Sequence, residues 1–119
     1  MVFINYTNHP SAGWSGEQKE AAQKYGDIVD VPFPQVPPEW SEEQVCRAAR
    51  EEAEKLLAMK PAAVLCQGDF TFAYAVIQLL KKKKIPVLAA CSRRDVKEWQ
   101  EQGKSMKSSV FRFVRFRQY

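Results

Sequence analysis

Three short polar clusters carry the side chains that could do chemistry. Asn8, His9 and Ser11 follow an apolar run at the start of the chain. Gln67, Gly68, Asp69 and Thr71 interrupt one in the middle, and Ser92, Arg93 and Arg94 follow a third. The two guanidinium groups and the backbone N–H groups after Gly68 suit phosphate oxygens. The amides of Asn8 and Gln67 suit the edge of a base or ribose. His9 is the sole histidine, so any imidazole acid–base step falls to it.

Each of these residues also has a plainer reading. His9, placed by Pro10, suits a locally hydrogen-bonded loop. Asp69 fits a helix N-cap, where it would repel phosphate and accept more readily from a ribose hydroxyl. Arg93 and Arg94 equally fit the solvated start of a helix. Ser11 has no base partner of the triad kind, so nucleophilic catalysis of that sort is poorly served. The candidate catalytic set is His9, Asn8 and Ser11. The candidate binding set is Asn8, His9, Ser11, Gln67, Gly68, Asp69, Thr71, Ser92, Arg93 and Arg94. Glu17, Glu20, Glu42 and Glu43 sit in helix starts that favour negative charge anyway, so neither a metal nor another cofactor is expected. Any phosphoester cleavage here would align a ribose 2′-hydroxyl with its own phosphate, an arginine stabilising the developing charge.

The elements that must position these clusters follow from hydrophobic period and punctuation. Val2–Tyr6 is a strand, and Ser15 with Gln18 opens a helix that runs to about Tyr25 and stops at Gly26. Ile28–Val31 is a second strand. The four prolines of Pro32–Pro38 make a stiff extended connection. Ser41 with Gln44 caps a second helix, which Pro61 ends. Ala62–Cys66 runs through the Gln67-Gly68-Asp69 turn straight into the apolar helix Phe70–Leu80. Ile85–Ala90 is a strand buried on both faces, Cys91–Asp95 its carboxyl-end loop, and Val96–Gln102 a short polar helix stopped by Gly103. Ser109–Tyr119, with arginines between phenylalanines, is an edge strand.

The alternation of strand and helix predicts an α/β fold, a mostly parallel sheet with right-handed crossovers and helices on both faces. The expected strand order is 2-1-3-4, with the fifth strand antiparallel at an edge. The switch point then lies between strands one and three, with the three clusters converging at the carboxyl ends.

At 119 residues the chain is one domain able to bury one core. Hydrophobic content of 45% with 27% charged residues is that of a soluble protein, and neither a membrane span nor a signal peptide is visible, which implies the cytoplasm. Three widely spaced cysteines give neither a metal pair nor a disulfide framework. The net charge of +4 is uneven: one cluster lies at Lys81–Lys84, where lysines suit a helix carboxyl end, and another in the tail at Arg112, Arg115 and Arg117.

The opening INYTNHPS and the later LCQGDFT, on a minimal Rossmann-like domain, resemble the small stand-alone CARF-related accessory proteins of type III CRISPR systems. The resemblance covers the whole chain in size and element order. It implies binding of a cyclic oligoadenylate messenger, which ring nucleases of this kind cleave and sponge proteins sequester. It also implies a homodimer with the ligand across its two-fold axis, and no DNA or membrane partner. By motif position it carries over to Asn8, His9, Ser11, Gln67, Gly68 and Asp69, and no fixed catalytic residue of the family maps here. The rival readings are an interaction module that pairs its aromatic tail edge to edge with a partner, and an enzyme on a nucleotide or nucleoside that uses Asp69.

Overall fold

The computed structural model describes Met1–Tyr119. Its centre is a pair of parallel strands, β1 (Val2–Tyr6) and β3 (Pro61–Cys66), which are buried on both faces over most of their length. Alternation divides β1 between two cores. Ile4 and Tyr6 face one side with Val64 and Cys66, and Phe3 faces the other with Ala63 and Leu65. Around this pair the sheet has the order β2-β1-β3-β4-β5, in which β2 is Asp27–Asp30, β4 is Val87–Glu101 and β5 is Lys104–Gln118.

Helices cover both faces. Helix α1 (Gly16–Gln23) lays Ala22 against Phe3, Leu65 and Leu88. Helices α2 (Glu42–Ala58) and α3 (Phe70–Lys82) seal the other side with Val45, Ala49, Leu56, Phe72, Val76 and Leu80. The starts of these helices are set locally. Ser15 accepts from the Gln18 N–H, Ser41 and Gln44 complete a reciprocal capping box, and Asp69 caps α3. The proline segment after β2 remains irregular. It seats Phe33 in the core between Tyr6 and Phe72, with ring centroids 5.1 and 5.5 Å away.

The expected strand order is what the sheet adopts, with β5 antiparallel at the edge. The sheet is nonetheless mixed rather than mostly parallel. Only Val64↔Val87 and Leu65↔Leu88 join β3 to β4, whereas β4 and β5 pair antiparallel from Leu88↔Gln118 out to Glu101↔Lys104. Cys91–Asp95, expected as a loop, is strand, and so is the expected helix Val96–Gln102 as far as Glu101. Gly103 is not a helix stop but half of a two-residue hairpin turn. Gln102 (φ 52°) and Gly103 (φ 73°) both take the left-handed conformation that such turns require.

The paired strands project as an arm. The radius of gyration is 17.1 Å and the long axis 56 Å, where about 13.5 Å is usual for a compact chain of this length. One irregularity lies at the base of the arm. Cys91 pairs with Arg115 but Ser92 pairs with Phe113, which leaves Val114 as an extra, bulged residue. No helix of the chain is long and apolar enough to cross a membrane.

Phe72 is 1% exposed and edge-on to Phe33 at the junction of α3, β1 and the proline segment. Replacement by alanine should lower stability by about 3–5 kcal/mol, seen as a fall in the urea midpoint without a change in slope. A loss below about 1 kcal/mol would mean that this junction is loosely packed.

Candidate functional site

Asn5 is 1% exposed in the middle of β1, so its amide must be hydrogen-bonded inside the protein. Its Nδ2 donates to Asp30 Oδ1 and to the His9 carbonyl, both at 2.9 Å, and its Oδ1 accepts from the Thr7 hydroxyl at 2.7 Å. The Thr7 hydroxyl oxygen in turn accepts from the His9 N–H at 3.1 Å. Asp30 stands opposite Asn5 at the end of β2 and also accepts from the Ser11 N–H and hydroxyl. The Trp14 indole N–H closes the set on the His9 carbonyl at 3.1 Å. The loop after β1 is therefore tied to two strands.

On the α1 side of the sheet this loop borders an open cleft of about 930 Å3. Thr7, Leu65, Gln67, Ala90 and Ser92 form its floor at the carboxyl ends of β1 and β3 and along β4. His9 and the segment from Gly13 to Gln18 make one wall, and Val110–Phe113 of β5 the other. Gln67 Oε1 accepts from the Ala90 N–H at 3.0 Å, which holds the side chain across the floor and leaves its amide donors for a ligand.

His9, Gln67 and Ser92 are thus brought to one cleft. Asn8 is exposed on the loop and does not line it. Ser11 is engaged by Asp30. Asp69 caps α3 by accepting from the Phe72 N–H at 3.0 Å and the Thr71 hydroxyl at 2.8 Å, so the helix end that suits an anion already holds the chain's own carboxylate. Arg93 and Arg94 lie on the arm rather than in a loop. The Arg94 guanidinium donates to Ser109, and Arg93 stands opposite Arg112 on the other face. Gly68 has a packing role: a Cβ there would fall into the Phe33 ring. With Gln67 it lines a second recess of about 540 Å3, on the α3 side, beside Tyr119. The Tyr119 hydroxyl donates to the Cys66 carbonyl at 2.8 Å.

Sequence reasoning missed Trp14, Asp30, Phe111 and Phe113. Trp14 and Asp30 had no motif around them. The aromatic alternation of the tail did mark Phe111 and Phe113 as strand residues, but gave no sign that they wall a cleft.

Two pKa shifts bear on reactivity. Burial pushes the Cys66 thiol up to about 12, so it stays neutral and inert at physiological pH. The Phe72 N–H, and after it the Thr71 hydroxyl, hold the Asp69 carboxyl below its usual range. A carboxyl depressed in the folded state adds stability above its unfolded pKa, about 3.9, and that stability is lost as pH falls through the folded value. Asp69→Asn should therefore flatten the acid limb of the stability profile below about pH 4 and leave its shape near neutrality unchanged. An unaltered acid limb would remove Asp69 from the cap.

Residues 1–117 match the uncharacterized protein MJ1673 family, and the chain belongs to it. No curated protein and no solved structure matches the chain.

Proposed function

We propose that this member of the MJ1673 family binds a cyclic oligoadenylate in the cleft between Trp14 and Phe111, as a Rossmann-like domain of type III CRISPR signalling. The observation that carries the reading is the cleft's composition and position. It lies over the carboxyl ends of β1 and β3, whose following segments leave to opposite faces of the sheet. Trp14 and Phe111 offer ring faces on which bases stack, with the buried Phe113 ring behind them. Gln67 and Ser92 offer donors and acceptors to base edges. A volume of about 930 Å3 lies at the upper end of ordinary ligand pockets, as a ring of several nucleotides needs. The net charge of +4 favours an anion over a neutral nucleoside.

His9 is the member of the candidate catalytic set that reaches the cleft. Ring opening would therefore have a 2′-hydroxyl of the ligand itself attack its own 3′-phosphate, with His9 taking its proton. The P–O5′ bond breaks, the 5′-oxygen leaves with a proton from water, and the linear product ends in a 2′,3′-cyclic phosphate. Sequestration needs only the stacking and edge contacts.

Calorimetric titration with cyclic tetra-adenylate, without added metal, tests the reading, followed by chromatography of the ligand. Saturable binding is expected. Trp14→Ala should raise the dissociation constant about tenfold or more, since stacking contributes about 1–3 kcal/mol per base, with circular dichroism confirming the fold. Linear product that disappears in His9→Ala identifies a ring nuclease, and intact bound ligand a sponge. No heat and no thermal shift would overturn the proposal.

A further inference from the structure

The basic side chains of the arm are sorted by face. Residues 91–118 hold eight of them against three acidic, more than the whole net charge of +4. Cross-strand partners share a face, and the pairs Ala89–Arg117, Cys91–Arg115 and Arg93–Arg112 stand on the α3 side. Further out, Lys97–Ser108 and Glu101–Lys104 stand on that side too. Arg93, Lys97, Lys104, Arg112, Arg115 and Arg117 therefore share one face with the acidic Asp95 and Glu101. The α1 side has Arg94 and Lys107 with Glu98. All six cations of the α3 side are exposed, and no helix lies over them.

This arrangement works against the isolated chain. Arg93 stands directly opposite Arg112, and like charges so placed destabilise a sheet. The face holds one ion pair, Arg112 with Asp95 at 3.5 Å. Charges that only keep an edge strand from pairing can be of either sign and need not share a face. Exposed rings stand at both ends of the row. At the base, Phe70 and Tyr74 of α3, 91% and 64% exposed, border the 540 Å3 recess beside Tyr119. Towards the tip, Trp99 is 44% exposed and stands on the arginine face opposite Met106.

We propose that this face binds single-stranded RNA. Side chains two apart on a strand lie about 6.8 Å apart, a spacing that suits successive phosphates of an extended chain. Guanidinium groups bind phosphate oxygens through paired hydrogen bonds, and an anion between Arg93 and Arg112 removes their repulsion. Exposed rings take up unpaired bases, whereas a duplex keeps its bases stacked inside. Asp95 points to ribose: a carboxylate repels phosphate but accepts from a 2′-hydroxyl, the group that DNA lacks. The site is separate from the cleft, which opens on the α1 side, and stands whether or not the cleft takes a cyclic adenylate.

Fluorescence anisotropy of the full chain with a labelled, unstructured RNA of mixed sequence tests it. Saturable binding is expected, with log K falling against log salt at a slope of about −3.5, as about five phosphate contacts require. Arg93→Ala with Arg117→Ala should make that slope about 1.4 shallower. Unlike Arg94, Arg112 and Arg115, these two side chains make no hydrogen bond or ion pair within the chain, so the fold survives their loss. Lys107→Glu removes the same charge from the α1 side and should leave the slope unchanged. Tyr74→Ala should weaken binding about fivefold or more, the lower end of what stacking contributes per base. DNA of the same sequence should bind more weakly than the RNA. No binding of the RNA would overturn the proposal, whether or not phosphatidylserine vesicles capture the chain. So would equal affinity for the DNA or for a duplex, a wild-type slope in the arginine variant, or an equal loss in Lys107→Glu.

Discussion

An amide buried in the centre of a sheet imposes order on whatever it must bond. Leaving Asn5 unsatisfied at 1% exposure would cost about 1–3 kcal/mol. Its partners are not neighbours in an element but Asp30, Thr7 and the His9 carbonyl. The ends of β1 and β2 and the loop that carries His9 are therefore one hydrogen-bonded unit, with Ser11 and Trp14 attached to it. A loop expected to be merely polar becomes a fixed rim. The position of Trp14 over the cleft follows from this rim as much as from its edge-on contact with Phe3 at 6.3 Å.

The parallel part of the fold was legible because several local signals agree there. Capping residues, apolar runs of strand length and the Gly68 turn all point to one topology, and the order β2-β1-β3-β4-β5 follows. The arm was misread because its signals conflict. Val96, Lys97, Glu98, Trp99, Gln100 and Glu101 are mostly good helix formers, and Val96 and Trp99 stand three apart on what would be one helix face. Pairing overrides that preference: every residue from Ser92 to Glu101 has a cross-strand partner in β5. The pairing is visible only when the Gln102-Gly103 turn is recognised, and a Gln-Gly pair is a weaker hairpin signal than Asn-Gly.

The same conflict explains the partial legibility of the site. Gln67 and His9 belong to the parallel core, where sequence and structure agree, and both reach the cleft. Arg93 and Arg94 were assigned to a loop that is strand, so the residues expected to hold phosphate lie along the arm. Asp69 and Gly68 were correctly placed at a turn. The turn serves packing and capping, as the Phe33 ring against Gly68 and the Phe72 N–H on Asp69 require.

Val114 decides the character of both surfaces of the arm. In an unbroken strand, residues three apart point to opposite faces. Phe113 and Phe116 are three apart, yet their partners Ser92 and Ala90 share a face, and the two rings meet at 4.9 Å. Bulging Val114 out of the pairing restores the phase that this extra residue would break, so Phe111, Phe113 and Phe116 stand on the α1 side and Arg112, Arg115 and Arg117 on the α3 side. The sequence FRFVRFR contains that slip as a break in its alternation, a break that looks like imperfect patterning until the bulge explains it. Flattening the bulge, with Val114 taking a regular place in the pairing, would turn Phe113 and Phe111 towards the arginine face and bring Arg112 to the cleft side. Holding Val114 out of the pairing thus keeps the aromatic wall on the cleft side and the arginines on the opposite face.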